Sequence, residues 1–137
     1  MAKLRHIAIA TKDPKKTAEF YKKHFEMKDA GIIENDLAEG CYLTDGVVNL
    51  AILKFRSANT SLPWDSADFT GIHHFGFIVD DLKEAMRRLE EDGSTMVASY
   101  YQGRGEETVY YERKYVAPDN VVIDISERGW VGAKRDV

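Results

Sequence analysis

Disulfide bonds within the chain are excluded, because Cys41 is its only cysteine. A lone thiol fits a reducing compartment, so a cytoplasmic location is the expectation. Long apolar runs are missing as well: none approaches the roughly 18–20 residues that a membrane-spanning helix needs. The opening residues, "MAKLRHIAIATKDP", carry a short apolar stretch but not the roughly 7–15-residue apolar core of a secretory signal. Positive charge is neither in excess nor bunched. The net charge is −4 and the lysines and arginines are scattered, so neither nucleic acid nor a membrane is expected as a partner.

What is present suits a packed interior. Of the 137 residues, 44% are hydrophobic and 31% are charged, which fits one compact unit or two small modules sharing a core. Self-similarity favours the two modules. With His6 laid on His74, "LRHIAIATKDPKKTAEFY" aligns with "IHHFGFIVDDLKEAMRRL". Asp13 then falls on Asp81, Lys15 on Lys83 and Ala8 on Gly76. Each copy reads strand, aspartate, amphipathic helix.

In the first copy Asp13 is the expected N-cap and Pro14 the first helical residue, where its missing N–H costs nothing. Ala18, Tyr21 and Phe25 recur at helical spacing and are expected to be buried. In the second copy "DLKE" resembles a capping box led by Asp81, Leu82, Ala85, Met86 and Leu89 form the apolar stripe, and Gly93 closes the helix. Further strands are expected within 28–34 and at about 39–44, 47–55, 96–101, 107–116 and 121–126. The polar stretch 56–71, "RSANTSLPWDSADFTG", reads as a linker. The predicted fold is α+β: two tandem βαβββ modules at about 1–56 and 72–126 and a tail at 127–137, all within one domain spanning 1–137.

Alternation along a strand decides what each side chain meets. Ile7 and Ile9, like Phe75 and Phe77, are expected against the helices; His6, Ala8 and Ala10 take the other face, as do His74, Gly76 and Ile78. An imidazole beside Ala or Gly leaves room for a ligand instead of filling a core. Repeated at equivalent positions, it points to a metal, for which a carboxylate on the same surface is still needed. Parity puts His73 on the opposite face, with no role of its own. His24, in "YKKHFEM", reads as a solvated helix residue.

Three segments carry a family resemblance. "HIAIATKDPKKTAEFYKKHF", "HHFGFIVDD" and "APDNVVIDI" resemble segments of the vicinal oxygen chelate superfamily. That superfamily includes glyoxalase I, methylmalonyl-CoA epimerase, fosfomycin- and bleomycin-resistance proteins and extradiol dioxygenases. The likeness runs from about residue 4 to 126. It implies paired βαβββ modules whose sheets form a cup around a divalent metal, and ligands on the first and last strand of each module. By position these are His6, His74 and Asp124, the last standing where most members have Glu. The fourth ligand position falls at Ala51, which coordinates nothing. Asn49 shares its face about 7 Å along the strand and is the possible substitute.

The resemblance also implies a choice of chemistry. Two histidines and a carboxylate leave three octahedral positions open, the arrangement of non-haem Fe(II) oxygenases. Extradiol dioxygenases of the superfamily likewise lack the fourth ligand. The favoured expectation is therefore a Fe2+- or Mn2+-dependent dioxygenase acting on a small, vicinally oxygenated substrate. The alternative is a glyoxalase I- or epimerase-like lyase or isomerase using Ni2+, Co2+ or Zn2+, in which a group beside the metal moves a proton between carbons. A metal-free binding protein is the third reading.

Candidates for catalytic roles are Glu39, Tyr110, Glu112 and Tyr115. Lys114 stands in the register of the substrate-contacting tyrosine of the dioxygenases, with Tyr115 one residue off. Asn49, Ala51 and Lys114 are the candidates for contacting substrate. Tyr100, Tyr101, Tyr110 and Tyr111 are candidates for lining the cup, and "YYQGRGEE" suits a mobile loop over its mouth. Trp130, in the tail, either covers the cup, packs on a partner subunit or is exposed. A homodimer is expected from the resemblance.

Overall fold

The computed structural model describes residues 1–57, 68–101 and 111–137, and only the backbone of 98–101 and 111. Its strands are β1 (Lys3–Ala10), β2 (Lys28–Glu34), β3 (Ala38–Thr44), β4 (Asn49–Phe55), β5 (Gly71–Ile78), β6 (Thr95–Tyr101), β7 (Tyr111–Val116) and β8 (Val122–Ser126). Helix α1 (Pro14–Phe25) follows β1 and helix α2 (Leu82–Glu91) follows β5. Most of the expected linker, most of the 100–107 loop and Tyr110 lie outside the described residues, as do the side chains of Tyr100, Tyr101 and Tyr111. No described helix is long and apolar enough to cross a membrane.

Both helices begin as their sequences require. Asp13 accepts a hydrogen bond from the Lys16 amide at 3.1 Å and Asp81 from the Glu84 amide at 3.0 Å, each satisfying a first-turn N–H that has no partner within the helix. Ala18 is buried and Tyr21 packs with Leu43, Leu50 and Ile52. Phe25 departs from expectation and is 64% exposed. It ends α1, just before Glu26 turns the chain with a φ of 57°, and packs against Phe20 and His24 outside the core. The α2 stripe of Leu82, Ala85, Met86 and Leu89 is packed as the spacing predicts.

The strands form one sheet in the order β2-β3-β4-β1-β5-β8-β7-β6. The first strands of the two modules, β1 and β5, pair antiparallel at its centre. Each has the last strand of its own module on its other side, in parallel: β4 beside β1 and β8 beside β5. The outer hairpins are antiparallel. The two halves of the sheet therefore mirror each other in order about the β1–β5 seam.

The two sides of this sheet differ in chemistry. Under α1 lie Ile7, Ile9, Leu43, Leu50 and Ile52; under α2 lie Phe75, Phe77, Tyr115, Ile123 and Ile125. Each such aliphatic or aromatic side chain contributes about 1.5–3 kcal/mol when fully buried. The helix-free side of the first module is apolar and built largely of small residues: Ala8, Ala38 and Ala51 cluster there with Ile33 and Leu53. Polar groups on that side, described next, concentrate at the seam and on the second module.

Candidate metal centre

Strand pairing brings three ligand candidates to one place. His6 lies opposite Gly76 across β1–β5, and Gly76 lies opposite Asp124 across β5–β8. His74 precedes Gly76 by two residues and so points to the same side. The Nε2 atoms of His6 and His74 are 3.2 Å apart. Asp124 Oδ2 is 3.1 Å from His74 Nε2 and 3.8 Å from His6 Nε2. These separations share a point about 2.0 Å from all three atoms, matching metal–nitrogen and metal–carboxylate bonds of about 2.0–2.2 Å.

The residues fit a divalent cation. All three are buried. Asp124 Oδ1 receives the Lys114 ammonium, whereas the buried Oδ2 makes no hydrogen bond of acceptable geometry. Buried polar atoms are nearly always satisfied, and this orphan oxygen faces the point shared with the two imidazoles. Two imidazoles and a carboxylate form a borderline donor set that accepts several first-row metals and does not single out one.

Burial sets the protonation of the site. It pushes the imidazoles down, His6 to about 4 and His74 to about 3, against the opposing pull of Asp124. Both rings are therefore neutral, as metal ligation requires. Burial alone would raise the Asp124 carboxyl, but the His74 ring, which is protonated in the acid range where the carboxyl titrates, and the Lys114 ammonium outweigh it and hold the carboxyl below the usual carboxylate range.

Glu112 lies beside this cluster. Register places Glu112 opposite Ser126 and Lys114 opposite Asp124 across β7–β8, so both share the face of the triad. Burial, reinforced by the charge of Asp124 and opposed by Lys114, pushes the Glu112 carboxyl up to about 7. Its Oε2 accepts a hydrogen bond from Trp130 Nε1 at 2.8 Å. Trp130 reaches that position because Gly129 takes a φ of 84°, a conformation glycine adopts freely, while its amide bonds Ser126 Oγ at 2.9 Å. The indole then lies flat on His6, ring centroids 4.5 Å apart and planes 8° apart.

Gly76 makes room for this arrangement. A Cβ there would stand 2.7 Å from Trp130 Cη2 and 3.1 Å from Asp124 Cβ. Gly76→Ala is expected to displace the indole and cost about 1–3 kcal/mol by overpacking. Thermal melts and a shift in tryptophan fluorescence would check this; an unchanged melting temperature would argue against the close approach.

The remaining candidates separate by position. Asn49, not Ala51, is the β4 residue level with His6, and its Oδ1 lies 2.7 Å from His6 Nδ1. Ala51 is level with Ala8 in the apolar cluster. Lys114 is buried and paired with Asp124. Tyr115 lies on the helix side, where its hydroxyl donates to Glu90 at 2.9 Å. Glu39 also takes the helix side by alternation with Ala38 and Gly40, and pairs with Lys54 at 3.9 Å.

His73 departs from the expectation of an opposite-facing neighbour. Ala8 pairs with His74 but Ile9 pairs with Ile72, so His73 is the extra residue of a β-bulge. The bulge breaks the alternation and brings its Nδ1 within 2.8 Å of His74 Nδ1, with its ring 4.5 Å from Phe55. No feature of the sequence marks that extra residue. Of the three places the sequence allows Trp130, its buried indole takes the one over the cup, stacked on His6.

Comparison with known proteins agrees with this architecture. A methylmalonyl-CoA epimerase in complex with methylmalonyl-CoA and NH4+ is similar at 17% identity, with a TM-score of 0.71 over 98% of this chain and 99% of that one. A methylmalonyl-CoA epimerase from Mycobacterium tuberculosis is similar at 21% identity, with a TM-score of 0.66 over 90% of this chain and 85% of that one. The 2,3-dioxygenase LapB from Pseudomonas sp. KL28 shares 15% identity and a TM-score of 0.61, over 96% of this chain but 42% of its own. No curated protein matches. Residues 5–111, which include both histidine candidates and Glu-free β4, match a family profile. By that match the chain belongs to the Glyoxalase/Bleomycin resistance protein/Dioxygenase superfamily.

Proposed function

We propose that the protein is a metal-dependent isomerase or lyase that moves a proton at a carbon next to a carbonyl, the epimerase- or glyoxalase-like reading, and not a dioxygenase. The observation that carries this is Glu112: a carboxyl beside the triad, with its pKa pushed up to about 7. A general acid–base works best when its pKa lies near the operating pH, and such a group contributes about 10²–10⁴-fold to rate. Similarity to epimerase structures supports the same choice.

His6, His74 and Asp124 would hold the ion. When bound, it supplies Lewis acidity to a carbonyl or enolate oxygen. Glu112 takes the proton from the carbon next to the carbonyl and, in a glyoxalase-like isomerisation, delivers it to the neighbouring carbon; in an epimerisation it serves one face and a proton from solvent enters on the other. The Trp130 N–H restrains Oε2 of that carboxyl. Ala8 lies opposite His74 and Ala51 lies level with Ala8, so small apolar residues flank that imidazole. Co2+, Ni2+ or Zn2+ suits this reading better than Fe2+ or Mn2+.

The test uses metal-reconstituted protein in D2O with methylmalonyl-CoA and with the hemithioacetal of methylglyoxal and glutathione. Deuterium entering at the carbon next to the carbonyl, without oxygen uptake, is the expected result. Oxygen consumption with a catechol, and no exchange with either compound, would reinstate the dioxygenase.

A further inference from the structure

Asn49 is 0% exposed, yet it sits on the wrong side of His6 to reach the ion. Its Oδ1 lies 2.7 Å from Nδ1, the ring nitrogen turned away from the triad. A second contact fixes which way the amide points: Nδ2 donates to the carbonyl oxygen of Val131 at 2.8 Å. A carbonyl only accepts, so the amide nitrogen must face Val131 and the amide oxygen must face His6. That oxygen also only accepts, which leaves the proton on His6 Nδ1. The neutral ring then keeps its lone pair on Nε2, the atom 3.2 Å from His74 Nε2 and 3.8 Å from Asp124 Oδ2.

The geometry assigns to Asn49, pinned by the Val131 carbonyl, the role of holding His6 in the Nδ1–H tautomer, so that Nε2 is ready for a metal before any ion arrives. The assignment rests on the metal reading of the triad and adds a positioning residue to it. Trp130, the neighbour of Val131, lies flat against the same imidazole and opposes its rotation. The tail is tied down beyond this point: Thr44 Oγ1 donates to the Gly132 carbonyl at 2.8 Å and the Lys134 amide to the Val47 carbonyl at 3.0 Å. The docked tail thus reaches one ligand twice, through the amide of Asn49 and through the indole face. Partners that orient a ligating imidazole typically account for about 10–100-fold in metal affinity.

The test begins with metal-free, full-length protein carrying ¹⁵N-labelled histidine. Two-bond ¹H–¹⁵N correlation reads the tautomer of each of the four histidines. Wild-type His6 is expected as Nδ1–H. In Asn49→Leu it is expected to move to Nε2–H, with Zn2+ affinity, measured by chelator competition, lowered about 10–100-fold. Asn49→Asp, which keeps an accepting oxygen, is expected to retain Nδ1–H and to bind Zn2+ more tightly than Asn49→Leu. His6 found as Nε2–H in the wild type overturns the inference, and this measurement decides even if Asn49→Leu fails to fold. So does an affinity loss in Asn49→Leu with the tautomer unchanged, which would show that Asn49 acts on the site otherwise than by fixing the His6 proton. Wild-type protein with the Nδ1–H tautomer but no Zn2+ binding would uphold the tautomer assignment and sink the metal reading.

Discussion

Asp124→Ala is expected to release the metal and to bring the fold close to its stability limit. The carboxylate is 0% exposed and each oxygen has a separate task. Oδ2 faces the two imidazoles, while Oδ1 holds the buried Lys114 ammonium. Truncation takes the Asp124 carboxylate away from that buried ammonium, and breaking a buried pair from one side costs about 3–5 kcal/mol. Against a total stability of about 5–15 kcal/mol, that is a large share. Metal affinity should fall by more than the roughly 100-fold upper range for losing an outer partner, because a ligand itself is gone.

Urea melts with chelator present, together with metal analysis, separate the two effects. Asp124→Leu combined with Lys114→Met should regain most of the stability and none of the metal. Unchanged melting of Asp124→Ala in chelator would show that the Lys114 pair contributes nothing. The wild-type pair also has an acid limit. A carboxyl whose folded pKa is depressed contributes stability fully above its unfolded value of about 3.9, and loses that contribution as pH falls further.

Glu112→Gln is expected to lower the rate of proton transfer by about 10²–10⁴-fold while metal content stays at the wild-type level. The amide keeps an acceptor for the Trp130 N–H but cannot carry the transferred proton. In the wild type the rate should rise with pH along a limb set by Glu112. Its pKa is about 7 in the metal-free chain and lower once a cation neutralises Asp124, whose charge helps raise it. That limb should vanish in the variant. A fully active Glu112→Gln enzyme with normal metal content would remove Glu112 from the mechanism.

The repeat made much of this legible in the sequence. Superposing His6 on His74 singled out two ligand candidates, and alternation separated the small-residue face from the faces under the helices. The third candidate, Asp124, followed from the resemblance at "APDNVVIDI". Asn49 and Ala51 share a parity, so only the lateral pairing of β4 with β1 decides which stands level with His6. That register is a property of two strands together and not of either sequence. The bulge at His73 is hidden for the same reason: it exists only relative to β1. Phe25 fits the helical period but lies at a helix end, where spacing does not report whether anything packs above it. Trp130 lies in a tail with no periodicity, and its place depends on the gap over Gly76.

The seam between β1 and β5 gives the ion a mechanical consequence. His6 belongs to one half of the molecule, and His74 and Asp124 to the other, so a single cation would rivet the halves where they meet. Such an ion binds only the joined arrangement, and by mass action adds about 2.7 kcal/mol at a hundredfold excess over its dissociation constant. Metal supply would then govern how firmly the two repeats grip each other, in the same act by which it switches on the chemistry.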